Sequence, residues 1–395
     1  MKKEQFAVST GLEKNINFIL PSRFPTEKAH GVVTVEMARA AMGLGFKVEI
    51  IAPNLSDKNS KNPQDLKISL LDSRALKKVV VLRDSSHGIL SQIFLKLQVV
   101  LFFISLLKNK KLQKNNIYWL RDITLTLLIS RFSPSKKKFV LEIHRKPSFL
   151  DCIFIKLLPK KHLVLIPISK FIQDEISENS PRSMISGMAV PKWFPREKSS
   201  DKSSEKNFTF GYFGSYSSYG VAKNVEIVLE ALQLLNAKGS KICNAFFVGV
   251  GEEGRKKLVD KAKNLGIKES QLKIVDNVDH ELVPDFMKEC ENLVFPYPYV
   301  KGIEGSFPTK LLEYASVNCS IIASDTPISR QIFTEKEVWF YESLNPISFV
   351  ETYLKISNDS HLASLKIFAA RKLVDEFMYE ARVIKILDFL KLPAN

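Results

Sequence analysis

The sequence predicts an α/β protein built from two doubly wound halves, and three observations carry that expectation. Short β-type runs alternate with helical runs along most of the 395 residues, the pattern of parallel sheets faced by helices. The chain is too long for one ordinary core, and the segment Arg196 to Asn207 (REKSSDKSSEKN) has no apolar residue to contribute to one. The charge balance also changes there: Met1 to Lys198 holds 34 Lys and Arg against 16 Asp and Glu, the remainder 24 against 26. The expected domains are residues 1–198, basic and membrane-facing, and residues 199–378. Residues 379–395 are expected to form a terminal helix able to return to the first half.

In chain order, Asn15 to Leu20 reads as a strand, Val32 to Leu44 as a helix closed by Gly45, and Lys47 to Ala52 as the next strand. Ile89 to Leu107 is the most apolar stretch. Gln92, Lys96 and Gln98 interrupt it, so it is expected to fall short of a membrane span and to form a buried or interface-lying helix. Further strands are expected at Asn116 to Leu120, Lys138 to Ile143 and Leu163 to Ile168. Beyond the polar segment the pattern restarts with strand Phe208 to Phe213, helix Val225 to Leu235 and strand Ala245 to Gly249. Helix Glu253 to Leu265, strand Leu272 to Val275, helix Glu281 to Glu289 and strand Leu293 to Pro296 follow. Pro308 then suits the first turn of a helix, and Ser320 to Ala323 the strand after it.

Several function classes are disfavoured. Cys152, Cys243, Cys290 and Cys319 have neither metal-ligand nor disulfide-framework spacing, which suits a reducing, cytoplasmic compartment. The first fifteen residues lack the apolar core of a secretory signal. No Asp-x-Asp pair, His/Cys metal spacing or Gly-x-Ser-x-Gly elbow occurs, against a metal-dependent nucleotide-sugar site or a serine hydrolase. The formal net charge is +16, and lysine clusters at Lys108 to Lys114, Lys136 to Lys138 and Lys160–Lys161 closely follow apolar runs. An anionic membrane surface is the expected partner, a merely solvated surface the alternative. Nucleic acid is not expected, because no finger, RNA-sheet or basic-zipper pattern accompanies the charge.

Four places hold chemistry. In GYFGSY a strand ends at Gly214 and Ser215, and Lys223 follows near a helix entrance; small residues let backbone approach a phosphate and a lysine supplies a point charge. A strand-turn-helix without ligand is the alternative. In EGSFPTKLLEYASV, Glu313 lies inside an apolar helix, where a carboxylate can accept two hydrogen bonds from a ribose diol, with the amides near Phe307 to Thr309 facing an anion. The alternative is a salt bridge with Lys310, three residues earlier. In FVLEIHRKP, Glu142 and His144 share a face at a strand end; His144 is able to polarise a substrate hydroxyl or accept its hydrogen bond, or is a satisfied core histidine. YWLRD ends a strand in Arg121 and Asp122, a possible local salt bridge.

These segments resemble the GT-B glycosyltransferases of family four, the retaining, metal-independent group that includes many bacterial polysaccharide and lipopolysaccharide enzymes. The resemblance runs from about Asn15 to Leu390. It is most specific in YFGSYSSYGVAKNVEIVLEAL, FFVGVGEEGRKKL, VDNVDHELVPDFMKECENLVFPYP and FPTKLLEYASVNCSIIASD, which stand in the family's order. EKAHGVVTVEMARAAMGLGFKVEIIAP, YWLRD and FVLEIH are similar to its first-half segments. The resemblance implies two Rossmann-like domains facing a cleft, the first on the acceptor side and the second binding the nucleotide sugar. It implies a nucleotide-sugar donor, a glycan or lipid-linked acceptor, no further cofactor, no metal, and a peripheral place on the inner face of the cell membrane. It places Lys223 on the donor diphosphate, Glu313 on the ribose, and the backbone of Phe307, Thr309 and Lys310 toward donor sugar or phosphate. His144 would lie near the transferred sugar, and the loop around His30 and Gly31 over the donor phosphates or beside the acceptor.

The chain departs from the family at defined points. The family's paired glutamates stand eight apart, but eight before Glu313 is Gly305, with Glu304 one residue further out. Either the loop shifts by one residue or the sugar-contacting acid is missing. The arginine five residues before the helix lysine is Ser218, the glycine after that lysine is Asn224, and the paired glycines of the first loop are reduced to Gly31. Altered donor choice follows, or a degenerate protein that binds a glycan or nucleotide sugar without transfer.

Overall fold

The computed structural model describes residues 15–26, 29–55, 63–84, 88–113, 116–132, 137–176, 180–194, 207–218, 220–239, 242–300 and 305–391. The chain forms two compact units: Met1–Gly187 with Tyr379–Asn395, and Met188–Met378. The first boundary lies eleven residues earlier than the composition suggests. Val190 and Phe194 are fully buried in the second unit's core, and Val190 N–H donates to the carbonyl of Phe377, so the chain has joined that unit before the polar segment begins.

In the first unit, β1 (Asn15–Ile19), β2 (Lys47–Pro53), β3 (Lys67–Leu71), β4 (Asn116–Leu120), β5 (Lys138–Ile143) and β6 (Leu163–Pro167) form one parallel sheet in the order β3-β2-β1-β4-β5-β6. β4 and β6 are buried at every residue, as strands covered on both faces must be. Helix α1 (Ala29–Gly43) crosses from β1 to β2, and Gly45 takes the left-handed conformation, φ 91°, that ends it. α2 (Arg74–Asp84), α3 (Gly88–Lys108) and α4 (Ile123–Phe132) follow in sequence. α5 (Phe149–Leu157) opens with a capping box in which Ser148 and Asp151 exchange side-chain and backbone hydrogen bonds, and α6 (Lys170–Asp174) follows β6.

α3 corrects one expectation. Its stretch from Leu90 to Lys108 is long and apolar enough to cross a membrane by length and composition. Its polar residues take different places: Gln98 is buried with its amide on the Pro21 carbonyl, Lys96 bonds to Thr124, and Gln92 is exposed.

The second unit repeats the plan. β7 (Phe208–Phe213), β10 (Ala245–Val248), β11 (Leu272–Val275), β12 (Cys290–Phe295), β13 (Ser320–Ser324) and β14 (Trp339–Tyr341) pair in parallel in the order β11-β10-β7-β12-β13-β14. Counted from its own first strand, this too is 3-2-1-4-5-6. A short hairpin of β8 (Ser217–Ser218) and β9 (Val221–Ala222) intervenes after β7. Helices α7 (Ile227–Ala237), α8 (Gly251–Asn264), α9 (Val283–Lys288), α10 (Thr309–Ala315), α11 (Pro346–Asn358) and α12 (Ser360–Val374) complete the unit. Alternation along β7 sends Phe210 and Tyr212 into the core beneath α7 and α11, and Phe213 into the opposite core with Leu311 and Leu312. The strand order reverses between β7 and β12, and in open α/β sheets ligands bind at the carboxyl ends of the strands flanking that point. α13 (Tyr379–Lys391) belongs to the first unit and packs on α1.

Candidate functional site

In the second unit the expected donor residues meet at the carboxyl ends of β7 and β12. Gly214 leaves β7 at φ 148°, a conformation suited to glycine, and a Cβ there would lie 3.4 Å from the Tyr212 hydroxyl. Tyr212 donates to the Ser215 carbonyl at 2.7 Å and so holds the turn. The hairpin then returns the chain, and Lys223 N–H donates to the Tyr216 carbonyl at 3.0 Å. Lys223 Nζ lands 2.9 Å from Ser215 Oγ and 5.0 Å above the Tyr297 ring. Burial, aided by the positive charge of Lys310, lowers the Lys223 pKa to about 8. Among the described residues no carboxylate pairs with its charge, which suits an anion arriving from outside.

Asn224 stands where the family has glycine, and the structure shows how the fold accommodates it: φ is 53°, the left-handed conformation asparagine tolerates best among non-glycine residues. The backbone demand persists although the residue has changed. The Nδ2 of Asn224 is buried without a hydrogen-bond partner among the described residues.

Glu313 sits one turn into α10 and is buried. Its Oε2 accepts from Lys310 Nζ, and its Oε1 lies 3.5 Å from His280 Nε2. Burial pushes the carboxyl pKa up, but Lys310 and His280 outweigh it and bring the value down to about 2. The salt-bridge alternative is therefore real here, and it is compatible with ligand binding, since an ionised carboxylate has about four acceptor positions. His280 packs edge-on against Trp193, 5.3 Å between ring centroids, and tilts over Phe194 at 5.5 Å. One expectation is corrected: the Thr309 amide donates to the Phe307 carbonyl at 2.8 Å, which removes it from the groups able to face an anion. Phe307 lies half-buried near Phe377, with ring centroids 6.5 Å apart. Gly305 is described and carries no acid, while Glu304 lies outside the described residues.

In the first unit a second cluster gathers at the ends of β4 and β5. Glu142 is wholly buried. Its Oε1 accepts from Trp119 Nε1 at 2.9 Å and Arg382 Nη1 at 2.6 Å; its Oε2 accepts from Arg121 Nε at 3.0 Å and meets His144 Nε2 at 2.7 Å. Burial alone would raise the Glu142 pKa, yet Arg382 and Arg121 hold it well below the usual carboxylate range. Burial, with Arg121 nearby, lowers the His144 pKa. A neutral imidazole facing an ionised carboxylate carries its proton on Nε2, leaving Nδ1 an acceptor. His144 also borders a small hollow shared with Lys96, Arg121, Asp122, Arg145 and Asp151. Burial raises the Asp122 pKa there.

Arg121 ties this cluster to α1 through a 3.2 Å bond to the His30 carbonyl. Gly31, beside it, is needed for packing: a Cβ would fall 2.5 Å from both Cγ2 and O of Thr26. Thus His30, Gly31, Arg121 and His144 converge in the first unit, and Gly214, Ser215, Lys223, Lys310 and Glu313 in the second. Sequence reasoning missed His280, Tyr297 and Arg382. The first two stood inside motif segments, VDNVDHEL and FPYP, with their neighbours unknown; nothing local marks Arg382.

Residues 195–372 match the family model for glycosyl transferases group 1. No curated protein matches. A glycosyltransferase from Rickettsia africae superposes with a TM-score of 0.68 at 14% identity, covering 96% of this chain and 98% of that one. Anabaena HepE, solved in complex with UDP, does so with 0.68 at 12% identity, covering 95% and 99%. Sucrose-phosphate synthase from Thermosynechococcus elongatus gives 0.67 at 12%, covering 95% and 98%. At these identities the likeness is one of fold. With two 3-2-1-4-5-6 sheets, the chain has the GT-B fold, and its second unit carries a glycosyl transferases group 1 domain over residues 195–372.

Proposed function

We propose that the chain is a glycosyltransferase that takes its sugar from a nucleoside-diphosphate sugar bound in the second unit and passes it, with retention, to a glycan or lipid-linked acceptor in cell-surface polysaccharide synthesis. The observation that carries the reading is Lys223: a buried ammonium above the Gly214–Ser215 turn, paired with no carboxylate among the described residues. Charge developing on the departing diphosphate would be stabilised by this preorganised cation in a poorly hydrated site. Glu313, held ionised by Lys310 and His280, receives the ribose hydroxyls. In the first unit, the Nδ1 of His144 is the acceptor available to a sugar hydroxyl.

HepE has been solved with UDP and with UDP-glucose, so UDP-sugars are the first donors to try. Thermal unfolding with UDP, GDP, ADP and their sugars, beside Glu313→Ala, tests the donor half of the reading. Stabilisation by one nucleotide that the variant loses supports it; none with any nucleotide overturns it. Gly305, at the place of the family's first acid, favours a second reading in which the donor binds without transfer. Product formation across acceptors separates the two.

A further inference from the structure

We propose that α3 lies in the surface of an anionic phospholipid bilayer, with α5 and the lysines around both helices, and does not cross it. Leu90, Ile93, Leu97, Val100, Ile104 and Leu107 are all exposed. Their spacing of 3-4-3-4-3 puts them on one stripe of the helix. The opposite face is committed to the fold: Val99, Phe102, Phe103 and Leu106 are buried, Gln98 bonds to the Pro21 carbonyl, and Lys96 bonds to Thr124 and lies 3.5 Å from Asp151. A spanning helix would have to abandon all of these contacts, whereas a helix lying flat abandons none. The structure thereby separates two states that length and composition leave equal.

The apolar surface continues onto neighbouring elements of the same unit. Phe132, at the end of α4, is 68% exposed with its ring 5.9 Å from that of Phe103. On α5, Phe149 is 81% exposed, and Leu150, Ile153 and Leu157 are exposed on one side with it. Lys78, Lys108, Lys110, Lys156, Lys160 and Lys161 are exposed around these helices, within the half that carries the chain's positive charge.

The occupant follows from this composition. A partner helix would be specified by complementary charges flanking a 3-4 seam, but α3 carries no acid: its flanks are Phe94, Leu101 and Phe103 with Lys96 and Lys108, and more lysines follow its last turn. An apolar face bordered by cations fits acyl chains beneath acidic headgroups. α3 also sends Lys96 into the hollow beside His144. A lipid-linked acceptor, which rests on the function proposed above, would then have to rise only about one helix diameter, roughly 10 Å, to reach that histidine.

The test is flotation of the full chain with vesicles of phosphatidylcholine alone and of phosphatidylcholine with one third phosphatidylglycerol, at low and high salt. The expected result is binding to the anionic vesicles, weakened by salt, and complete release in alkaline carbonate. The triple variant Ile93→Gln, Leu97→Gln, Ile104→Gln should bind at least about tenfold less with little change in melting temperature, because these side chains are exposed. A second variant, Lys156→Glu with Lys160→Glu, should bind less without any loss of apolar surface. Failure of the wild type to float overturns the proposal, as does resistance to carbonate. So does undiminished flotation of the triple variant, or a wild-type dimer that this variant dissolves, which would make a second copy the occupant. UDP-induced stabilisation, measured in parallel, reports on the second unit alone and keeps a failure here distinct from a failure of the donor reading.

Discussion

Arg382 Nη1 lies 2.6 Å from Oε1 of Glu142, a residue 240 positions earlier in the chain. The arginine also donates to the carbonyls of Gly187 and Ser186, where the chain leaves the first unit. One side chain of the terminal helix therefore fastens the exit of the first unit and fixes the charge of the group that orients His144. Glu142 is so deeply buried that it requires both arginines to remain ionised.

Removing that arginine leaves an under-compensated buried carboxylate. Arg382→Met is expected to lower stability by about 3–5 kcal/mol, and Arg382→Lys by less. Urea unfolding measures both. In whatever folds, nitrogen NMR of His144 should show a neutral Nε2–H ring for wild type at pH 7 and a raised pKa for the methionine variant, since Arg382 opposes protonation there. An unaltered titration would show that Arg382 serves packing alone.

On the proposed function, Lys223 would couple nucleotide binding to pH. With a pKa of about 8, the lysine is mainly charged at neutral pH and its charge is lost above. UDP affinity should fall by up to tenfold per unit above about pH 8. Calorimetry across that range reads the slope, which should vanish in Lys223→Met. The folded pKa lies below the unfolded value, so this group favours folding more as pH rises from about 8 toward 10.5. Lys223→Met should therefore be more stable than wild type at pH 7 even as it loses about 2–4 kcal/mol of transition-state stabilisation.

Glu313 contributes in the opposite window. Its pKa of about 2 lies below the unfolded carboxyl value of 4.5, so its stabilisation is complete above 4.5 and is lost as pH falls toward 2. Glu313→Gln should flatten that limb of the acid-unfolding curve. The same variant should abolish the thermal shift given by UDP.

Asn224 tests whether the departure from glycine is conservative. Asn224→Gly keeps φ at 53° accessible and removes a buried amide donor, so its stability should stay within about 0.5 kcal/mol of wild type. Asn224→Val should cost about 1–2 kcal/mol, because a β-branched residue resists the left-handed region. Thermal melts of the two variants decide it.

Much of the fold was legible because it is written locally. β4, β5, β7 and β11 have the bounds expected from the sequence, since period and turn residues are properties of neighbouring positions. The edge strands β3 and β14 were not foreseen; KISLL is only partly buried and WFY is three residues long, too little pattern to stand out. The unit boundary was misplaced for a related reason. A polar run marks where a core cannot be, whereas Val190 and Phe194 show where the next one begins.

By itself the sequence determined two alternating α/β halves, the asymmetry of charge between them, and the turn and helix bearing Gly214, Lys223 and Glu313. Those features depend on residues within a few positions of one another. Only the tertiary structure decided which partners each charge meets: His280 and Lys310 for Glu313, Tyr297 beneath Lys223, Arg382 on Glu142. It also decided which side of α3 is left bare. Side-chain electrostatics and burial arise from elements joined by the sheet order, across separations on which local propensity has no hold.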